Sequence, residues 1–259
     1  MTEPAQHQDV LVTVDQGVMV VTINRPQARN AVNLAVAEGI AAALDELDAR
    51  PDLAVGVVTG AGDTFCAGMD LKGFVEGELP IVAGRGFAGI TGKPPVKPLI
   101  AAVEGFALAG GFEIALACDL MTAARQARFG IPEVKRGLVA AAGGLMRLPE
   151  RIPCNLAMEL ALTGDFLGAE RAHELGLVNR LVDDGDALDA ALELAGRIAA
   201  NGPLATRASK RIVVDSPGWP VDERWKRQKY VADPVFASRD AREGARAFTE
   251  KRAPRWQAK

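Results

Sequence analysis

The chain has 259 residues, of which 49% are hydrophobic and 24% are charged, and its formal net charge is −3. This length and composition predict a folded protein with one sizeable hydrophobic core and exclude wholesale disorder. A net charge so close to zero indicates no particular partner. The most apolar stretch, residues 98–124, is interrupted by Glu104, Glu113 and Asp119. It is therefore not a membrane span, and carboxylates in so apolar a stretch need a reason.

The N-terminal third alternates between strand-like and helix-like patterns. The runs VLVTV and VMVVTIN flank Asp15-Gln16-Gly17, which predicts a β-hairpin. Asn33 is placed to cap a helix from Leu34 to about Ala49, along which leucine and isoleucine recur at helical spacing. Residues 54–59 predict a short strand that ends at a glycine turn. The Gly- and Pro-containing segment 60–97 predicts a long functional loop with some helix.

The following segments repeat one order of elements. Residues 99–103 predict a strand, Gly110-Gly111 begins a helix to about Cys118, and residues 120–124 return as a strand. This order of strand, glycine turn, helix and strand is typical of an α/β fold. After a strand at 178–182 the pattern becomes helical, over 185–200, 203–212, 220–231 and 240–251.

The C-terminal segment differs in charge from the rest of the chain. Residues 201–259 hold 14 Lys/Arg and 7 Asp/Glu, a net of +7, while residues 1–200 have a net of −10. A basic tail of this kind can bind nucleic acid, phosphate groups or an acidic neighbouring subunit. A solvated helical surface explains the same pattern.

Several kinds of chemistry lack the residues they need. The three cysteines (Cys66, Cys118 and Cys154) form no C-x-x-C motif, which favours a reducing cytoplasm without disulfides. The N-terminus is polar and has no signal-peptide pattern. The two histidines, His7 and His173, lie in a polar tail and a short helix, so a Ser–His–Asp or Cys–His hydrolase has no suitable base. No cluster has zinc or iron spacing, so no metal site is expected.

One G-x-G-x-x-G match occurs at Gly84, Gly86 and Gly89. It follows Pro80 rather than a clear strand and does not begin a long helix, so the context of a dinucleotide site is missing. We therefore interpret the match as chance. No phosphate-binding G-x-x-x-x-G-K-[ST] loop is present.

Two glycine turns follow predicted strands, where open α/β folds bind ligands. The first glycine turn is residues 64–71 (TFCAGMDL), and the second is residues 105–113 (GFALAGGFE). Glycine allows backbone amides to approach a ligand, and at the second turn they also lie at a helix start, which favours negative charge. Two amides that converge on one oxygen would form an oxyanion hole. Taken alone, each turn is equally typical of a plain tight connection.

Two glutamates stand close to these turns. Glu113 falls in the first turn of the predicted helix, and Glu133 follows a predicted strand in FGIPE. A helix–strand–turn unit can bring two such positions to the same end of the strands. Paired carboxylates beside an oxyanion hole can hold a water and move protons, because burial and like charge raise one pKa towards neutral pH. A helix-terminal carboxylate and a surface-loop carboxylate are the alternatives.

Taken together, the motifs resemble those of the crotonase (enoyl-CoA hydratase/isomerase) superfamily. They occur in the family's order from about residue 10 to the end: Asn24-Arg25-Pro26 with Asn30-Ala31, FCAGMDL, AGGFEIALACDL, FGIPEVKRGL, Gly143-Gly144 with Arg147-Leu148, and AFTEKRAPRW. The resemblance implies a crotonase-type spiral of ββα units over residues 1–200. It also implies a C-terminal helical region, residues 201–259, that builds a homotrimer or a hexamer.

The resemblance also implies roles for particular residues. The amides of Met69 and Gly110 would polarise the carbonyl of an acyl-CoA thioester, and Glu113 and Glu133 would act on the neighbouring carbons. Coenzyme A would contact Met69 and Ala67, the latter lining the adenine site, with its phosphates at Arg25, Arg29 and, across a subunit boundary, Lys251. No cofactor beyond the coenzyme A of the substrate, no nucleic acid and no membrane is implied.

The resemblance therefore implies reversible hydration of a trans-2-enoyl-CoA, since family members that hydrate have both glutamates. Two departures affect the acyl site. Ala109 replaces the first glycine of the usual triplet, which we expect to be a mild change, and Ala140-Ala141-Ala142 replaces the usual Pro-Gly-Ala. The LMRLP run and Gly111-Phe112-Glu113 also resemble carnitinyl-CoA dehydratases. The alternatives are such a dehydratase, an enoyl-CoA isomerase, and a non-catalytic acyl-CoA- or RNA-binding homologue.

Overall fold

The first element of the fold is a β-hairpin. The computed structural model describes residues 9–259; His7 therefore lies outside the described residues. Strand β1 (Val10–Asp15) pairs antiparallel with β2 (Val18–Ile23). Gln16 and Gly17, the two turn residues, both have positive φ, which matches the twist of a two-residue hairpin. The predicted hairpin is confirmed.

The hairpin begins a six-stranded sheet. Its order is β1-β2-β3-β6-β8-β11, and every pair after the hairpin is parallel. The added strands are β3 (Val55–Gly60), β6 (Leu99–Val103), β8 (Leu120–Ala124) and β11 (Arg180–Val182). The strands β3 and β6 are buried along almost their whole length, as parallel strands covered on both faces are.

A second, three-stranded sheet continues from the first. Its strands are β7 (Phe106–Leu108), β9 (Arg128–Gly130) and β10 (Leu167–Gly168), in the order β10-β9-β7. The chain passes from β6 to β7 at Gly105, which has φ +52 and where a Cβ would overlap the carbonyl oxygen of Asp63. Only glycine fits this step between the two sheets. A two-stranded ribbon, β4 (Ile81–Val82) and β5 (Gly86–Phe87), lies in the long loop and includes Gly84 and Gly86 of the G-x-G-x-x-G match, while Gly89 follows it.

Helices follow the strands and dominate the C-terminal part. Asn33 caps helix α1 (Leu34–Ala49) as predicted, since its side chain accepts a hydrogen bond of 2.9 Å from the Val36 amide. Short 3₁₀ turns occur at Pro26–Ala28, Pro132–Arg136, Ser216–Gly218 and Val221–Glu223. The α-helices are α1 (Leu34–Ala49), α2 (Leu71–Val75), α3 (Gly110–Ala117), α4 (Gly144–Arg151), α5 (Cys154–Thr163), α6 (Ala169–Glu174), α7 (Ala187–Ala199), α8 (Pro203–Asp215), α9 (Arg224–Phe236) and α10 (Arg239–Thr249).

The main sheet is covered on both faces. One face joins the large core with α1 and α3, and α7 covers the other face with Ala191 and Ala195 against Val55, Val57 and Ile100. This mixed α/β arrangement confirms the predicted fold class. His173 has the predicted structural place, because its Nδ1 lies 2.8 Å from the Val178 carbonyl oxygen. Among residues 9–259, no helix is long and apolar enough to cross a membrane.

Candidate active site

The two glycine turns lie side by side. The Cys66 amide donates to the Phe106 carbonyl (2.9 Å), and the Leu108 amide donates to the Cys66 carbonyl (3.0 Å). This short parallel ladder ties the first turn to β7. At Gly111 a Cβ would overlap the Cys66 carbonyl oxygen, so the close approach requires glycine there. The sequence prediction that the two turns form one site is consistent with this contact.

The amides of Met69 and Gly110 are both available to a ligand. On either side of Met69, the Val32 amide donates to the Gly68 carbonyl (2.8 Å), and the Asp70 amide donates to the Val32 carbonyl (2.9 Å). Within residues 9–259 the amides of Met69 and Gly110 themselves donate no hydrogen bond. Gly110 is the first residue of α3, where an amide has no acceptor inside the helix. A Cβ on Gly68 would lie 3.3 Å from the Gly110 nitrogen, so the two turns present these amides close together.

Ala109 precedes this amide in a strained conformation. Its φ is +51° and its ψ −128°, a region that favours glycine. Such a residue costs about 1–3 kcal/mol and persists because its surroundings hold it. Here the Ala109 amide donates to Gly130 O (2.8 Å), and its carbonyl accepts from the Phe112 and Glu113 amides (2.9 and 3.1 Å). The expectation that alanine is a mild change at this position is wrong.

Glu113 is held in a fixed position by backbone amides. It lies in the first turn of α3 and is only 3% exposed. Its Oε1 accepts hydrogen bonds from the amides of Ala142 (2.7 Å) and Gly144 (2.9 Å). A Cβ on Gly144 would lie 3.0 Å from the Glu113 side chain, so this glycine makes room for the carboxylate. One oxygen is thus anchored, and the carboxylate keeps a single orientation in the site.

Glu133 comes from a different element and reaches the same cavity. It lies in the 3₁₀ turn that follows β9, as the helix–strand–turn pattern predicts. Its Oε2 is buried and has no hydrogen-bond partner among the described residues. A buried carboxylate oxygen without a partner is costly, which is typical of a group that meets a water or a ligand.

Burial raises the pKa of both glutamates and brings that of Glu113 to neutral pH. The pKa of Glu113 is raised from 4.5 to about 7, chiefly by burial and also by the charge of Glu133, while the Gly144 and Ala142 amides and Arg147 oppose the rise. Burial also raises the pKa of Glu133, against the lowering effect of its own backbone amide and of Arg136. Two carboxylates that influence each other titrate as a pair. Such a pair can hold and release a proton at neutral pH.

We expect this burial to make the protein less stable as the pH rises. Between pH 4.5 and pH 7 the folded chain keeps a proton on Glu113 that the unfolded chain has released. The free energy of unfolding therefore falls by up to about 3 kcal/mol through this window and levels off above it. Urea denaturation at several pH values measures this decrease in the free energy of unfolding. The Glu113→Gln variant should lack this decrease, and parallel pH curves for the two proteins would contradict the assignment.

Both glutamates and both turns line one cavity of about 720 Å³. This catalytic cavity brings together Met69, Gly110, Glu113 and Glu133, and its lining also includes Arg29 and Ala67. Its volume is that of a typical small-molecule site, and most of its lining is apolar. Six of the eight residues that the sequence singles out thus lie around one space.

Arg25 and Lys251 do not line this cavity. The Arg25 guanidinium pairs with Asp70 (3.0 Å) and Asp9 (3.6 Å) and donates to the Ala31 carbonyl (2.6 Å). These bonds hold the loop behind the first glycine turn, and a contact of Arg25 with a phosphate of coenzyme A stays a prediction. Lys251 is exposed just after α10, and a contact with coenzyme A across a subunit boundary stays a prediction.

The cavity also contains residues to which sequence reasoning assigned no role. Arg147 donates to the Thr91 carbonyl (2.6 Å) and the Ala142 carbonyl (3.4 Å), and its charge opposes the rise in the pKa of Glu113. Phe87 lies against Gly110, where a Cβ would be 2.5 Å from the ring. The Arg147-Leu148 motif was a signal for the role of Arg147. No pattern in the long loop indicated Phe87.

Known proteins share this arrangement over nearly the whole chain. The family described as enoyl-CoA hydratase/isomerase matches residues 13–259. The chain belongs to this family. It is 43% identical to the enoyl-CoA hydratase EchA19 of Mycobacterium tuberculosis over 258 residues, covering 96% of both chains. It is 38% identical to the carnitinyl-CoA dehydratase of Proteus mirabilis over 261 residues, covering 97% of this chain and 99% of that protein.

A solved structure of the enoyl-CoA hydratase/isomerase family shows the same fold. The crystal structure of an enoyl-CoA hydratase from Mycobacterium tuberculosis H37Rv is 60% identical and has a TM-score of 0.96. The match covers 97% of this chain and 100% of the chain in that crystal structure. The resemblance to the crotonase superfamily is therefore confirmed, and the likeness includes the segments that carry the two glycine turns and the two glutamates.

Proposed function

We propose that this enzyme catalyses the reversible syn addition of water to a trans-2-enoyl-CoA, giving a 3-hydroxyacyl-CoA. The observation that carries the proposal is the joint placement of two free amides and two carboxylates with raised pKa around one cavity. The amides of Met69 and Gly110 donate to the thioester oxygen. Because electron density moves towards this oxygen, the β-carbon becomes electrophilic.

The two glutamates then supply the proton transfers. Glu113 orients a water and takes one of its protons as the oxygen bonds to the β-carbon. The electron pair of the C=C bond moves into an enolate that the two amides stabilise. Glu133, with its unpartnered Oε2, gives a proton to the α-carbon as the enolate collapses. The glutamates share their protons as a coupled pair, so the opposite division of roles fits the same cavity.

The names of similar proteins support a hydratase. The M. tuberculosis relatives are named enoyl-CoA hydratases, and the P. mirabilis relative is named a carnitinyl-CoA dehydratase. Dehydration is the reverse of the proposed step and uses the same residues. Both intact glutamates argue against a non-catalytic acyl-CoA- or RNA-binding homologue. No cofactor is proposed beyond the coenzyme A of the substrate, and the described residues contain no cluster that could hold a metal.

Turnover of crotonyl-CoA tests this proposal. We expect the purified enzyme to hydrate crotonyl-CoA, detected by loss of the conjugated thioester absorbance, without added metal or nicotinamide cofactor. The 3-enoyl isomer and crotonobetainyl-CoA serve as comparison substrates for the isomerase and the carnitine-type alternatives. Tight binding of crotonyl-CoA with no hydration would disprove the proposal. Loss of activity on EDTA dialysis, restored by one divalent ion, would contradict the metal-free mechanism.

We also propose a homotrimer or a hexamer of two trimers in the cytoplasm. Large apolar side chains in residues 201–259 are exposed in the single chain, among them Trp225 (80%) and Phe248 (86%). Exposed apolar patches of this kind are typical of subunit contacts. This supports an assembly role for residues 201–259 after a core of residues 1–200. Light scattering that shows a fully active monomer at micromolar concentration would contradict both the assembly and the role of Lys251.

A further inference from the structure

A second cavity lies next to the catalytic one. It has a volume of about 360 Å³ and lies between the 3₁₀ turn Pro132–Arg136, α4 and α5. Its lining is almost entirely apolar, with Val134, Leu145, Leu148, Ala157, Met158 and Leu162 among its residues. Glu133 is its one charged lining residue within the described chain. A space of this size and character suits a hydrocarbon chain.

The two cavities share part of their walls. Glu133 and Val139 line both of them. Val139 lies in the segment after the 3₁₀ turn, is 63% exposed and stands between the two spaces. Its neighbours divide between the cavities: Ala140 lines the second, whereas Ala141 and Ala142 line the first. The triplet that departs from the usual hydratase pattern therefore forms the boundary.

We infer that the second cavity takes the distal carbons of a long acyl chain and makes this enzyme prefer long over short 2-enoyl-CoAs. The inference rests on the proposed hydration. In that mechanism Glu133 stands at the reacting carbons, so the carbons beyond them extend from the wall that both cavities share.

A bound acyl chain would remove apolar side chains of the second cavity from water. Met158 is 53% exposed and Leu162 is 70% exposed in the single chain. Methylene groups placed against them are removed from water together with the side chains, which strengthens binding with each added carbon. Each pair of added carbons should raise kcat/KM by about tenfold until the space is filled. A second copy of the chain is the competing occupant, and it would cover the same side chains.

The dependence of kcat/KM on chain length tests the inference. We expect trans-2-decenoyl-CoA, which has three more pairs of carbons than crotonyl-CoA, to exceed it by about a thousandfold in kcat/KM. Met158→Trp fills the second cavity and should lower this ratio at least about tenfold, because a tail that meets the indole cannot enter. Glu159→Trp is the matched control, since Glu159 is the next residue of α5, is exposed and lines neither cavity. It should leave the ratio unchanged.

Cys154 offers a test that does not depend on catalysis. It is exposed and lines the second cavity, whereas Cys66 and Cys118 are buried and burial raises the pKa of each thiol to about 12. N-Ethylmaleimide should therefore modify Cys154 alone, as intact mass would show. Decanoyl-CoA, which cannot be hydrated, should slow this modification at least about tenfold if its tail fills the cavity. Butyryl-CoA carries the same coenzyme A with a short tail and should have little effect.

The outcomes separate this inference from the proposed function. Hydration of crotonyl-CoA with a flat chain-length profile, or equal effects of decanoyl-CoA and butyryl-CoA on Cys154, would overturn the inference and leave the hydratase intact. Failure to hydrate any 2-enoyl-CoA, with Cys154 still protected by decanoyl-CoA, would overturn only the hydratase. A Cys154 that does not react in the free enzyme would show that another chain covers the second cavity and would overturn the inference.

Discussion

Glu113→Gln and Glu133→Gln should each lower the turnover of enoyl-CoA hydration by about two orders of magnitude or more, the usual effect of removing a placed acid or base. Glutamine has the shape of the protonated acid, so each variant should fold. In Glu113→Gln the amide oxygen can still accept the two hydrogen bonds from Ala142 and Gly144. Steady-state kinetics on crotonyl-CoA should show the loss mainly in kcat.

Glu104→Gln is a matched control for this pair. The Glu104 carboxylate also accepts hydrogen bonds from two backbone amides, those of Gly185 (3.1 Å) and Ala187 (2.9 Å), but it lies outside the catalytic cavity. Its replacement should therefore leave turnover within about threefold of wild type. If Glu113→Gln or Glu133→Gln keeps more than roughly a tenth of wild-type hydration, the two-carboxylate mechanism is wrong.

The sequence predicted elements well where local patterns decide them. Asn33 caps its helix, the residues around Gln16-Gly17 form the hairpin, and the four C-terminal helices lie close to their predicted ranges. Capping side chains, turn geometry and hydrophobic periodicity act over a few residues, so a single sequence contains them. The segment 60–97 was harder, because the β4–β5 ribbon is only two residues per strand and has no periodicity to detect.

The site was predictable in its chemistry and less so in its geometry. The two glycine turns and the two glutamates could be found because each comes after a strand with a recognisable pattern, and in the structure they line one cavity. The strain at Ala109 could not be found, since its φ depends on bonds to Gly130 and to the start of α3. Nor could the ion pair of Arg25 with Asp70, which joins residues 45 positions apart. Contacts of this range follow from packing rather than from any local pattern.

Removing the amide of Gly110 should lower turnover by about a hundredfold or more, as loss of other oxyanion donors does. A side-chain substitution cannot test this cleanly, because any Cβ at residue 110, including that of proline, would lie 2.5 Å from the Phe87 ring. Incorporation of glycolic acid in place of Gly110 replaces the N–H by an ester oxygen and adds no atom. Because we expect coenzyme A to be held mostly through its adenine and phosphates, the loss should appear in kcat and much less in KM.

An ester in place of the Gly111 amide is the matched control for this change. Gly111 is the next residue of α3 and does not line the catalytic cavity, so its amide faces no substrate. Each ester also makes one carbonyl a weaker hydrogen-bond acceptor. In the Gly110 ester this is the Ala109 carbonyl, which accepts hydrogen bonds from the Phe112 and Glu113 amides. Unfolding measurements on both esters separate this loss of stability from the loss of carbonyl polarisation. If both esters fold and the Gly110 ester turns over as fast as the Gly111 ester, the oxyanion hole does not include Gly110.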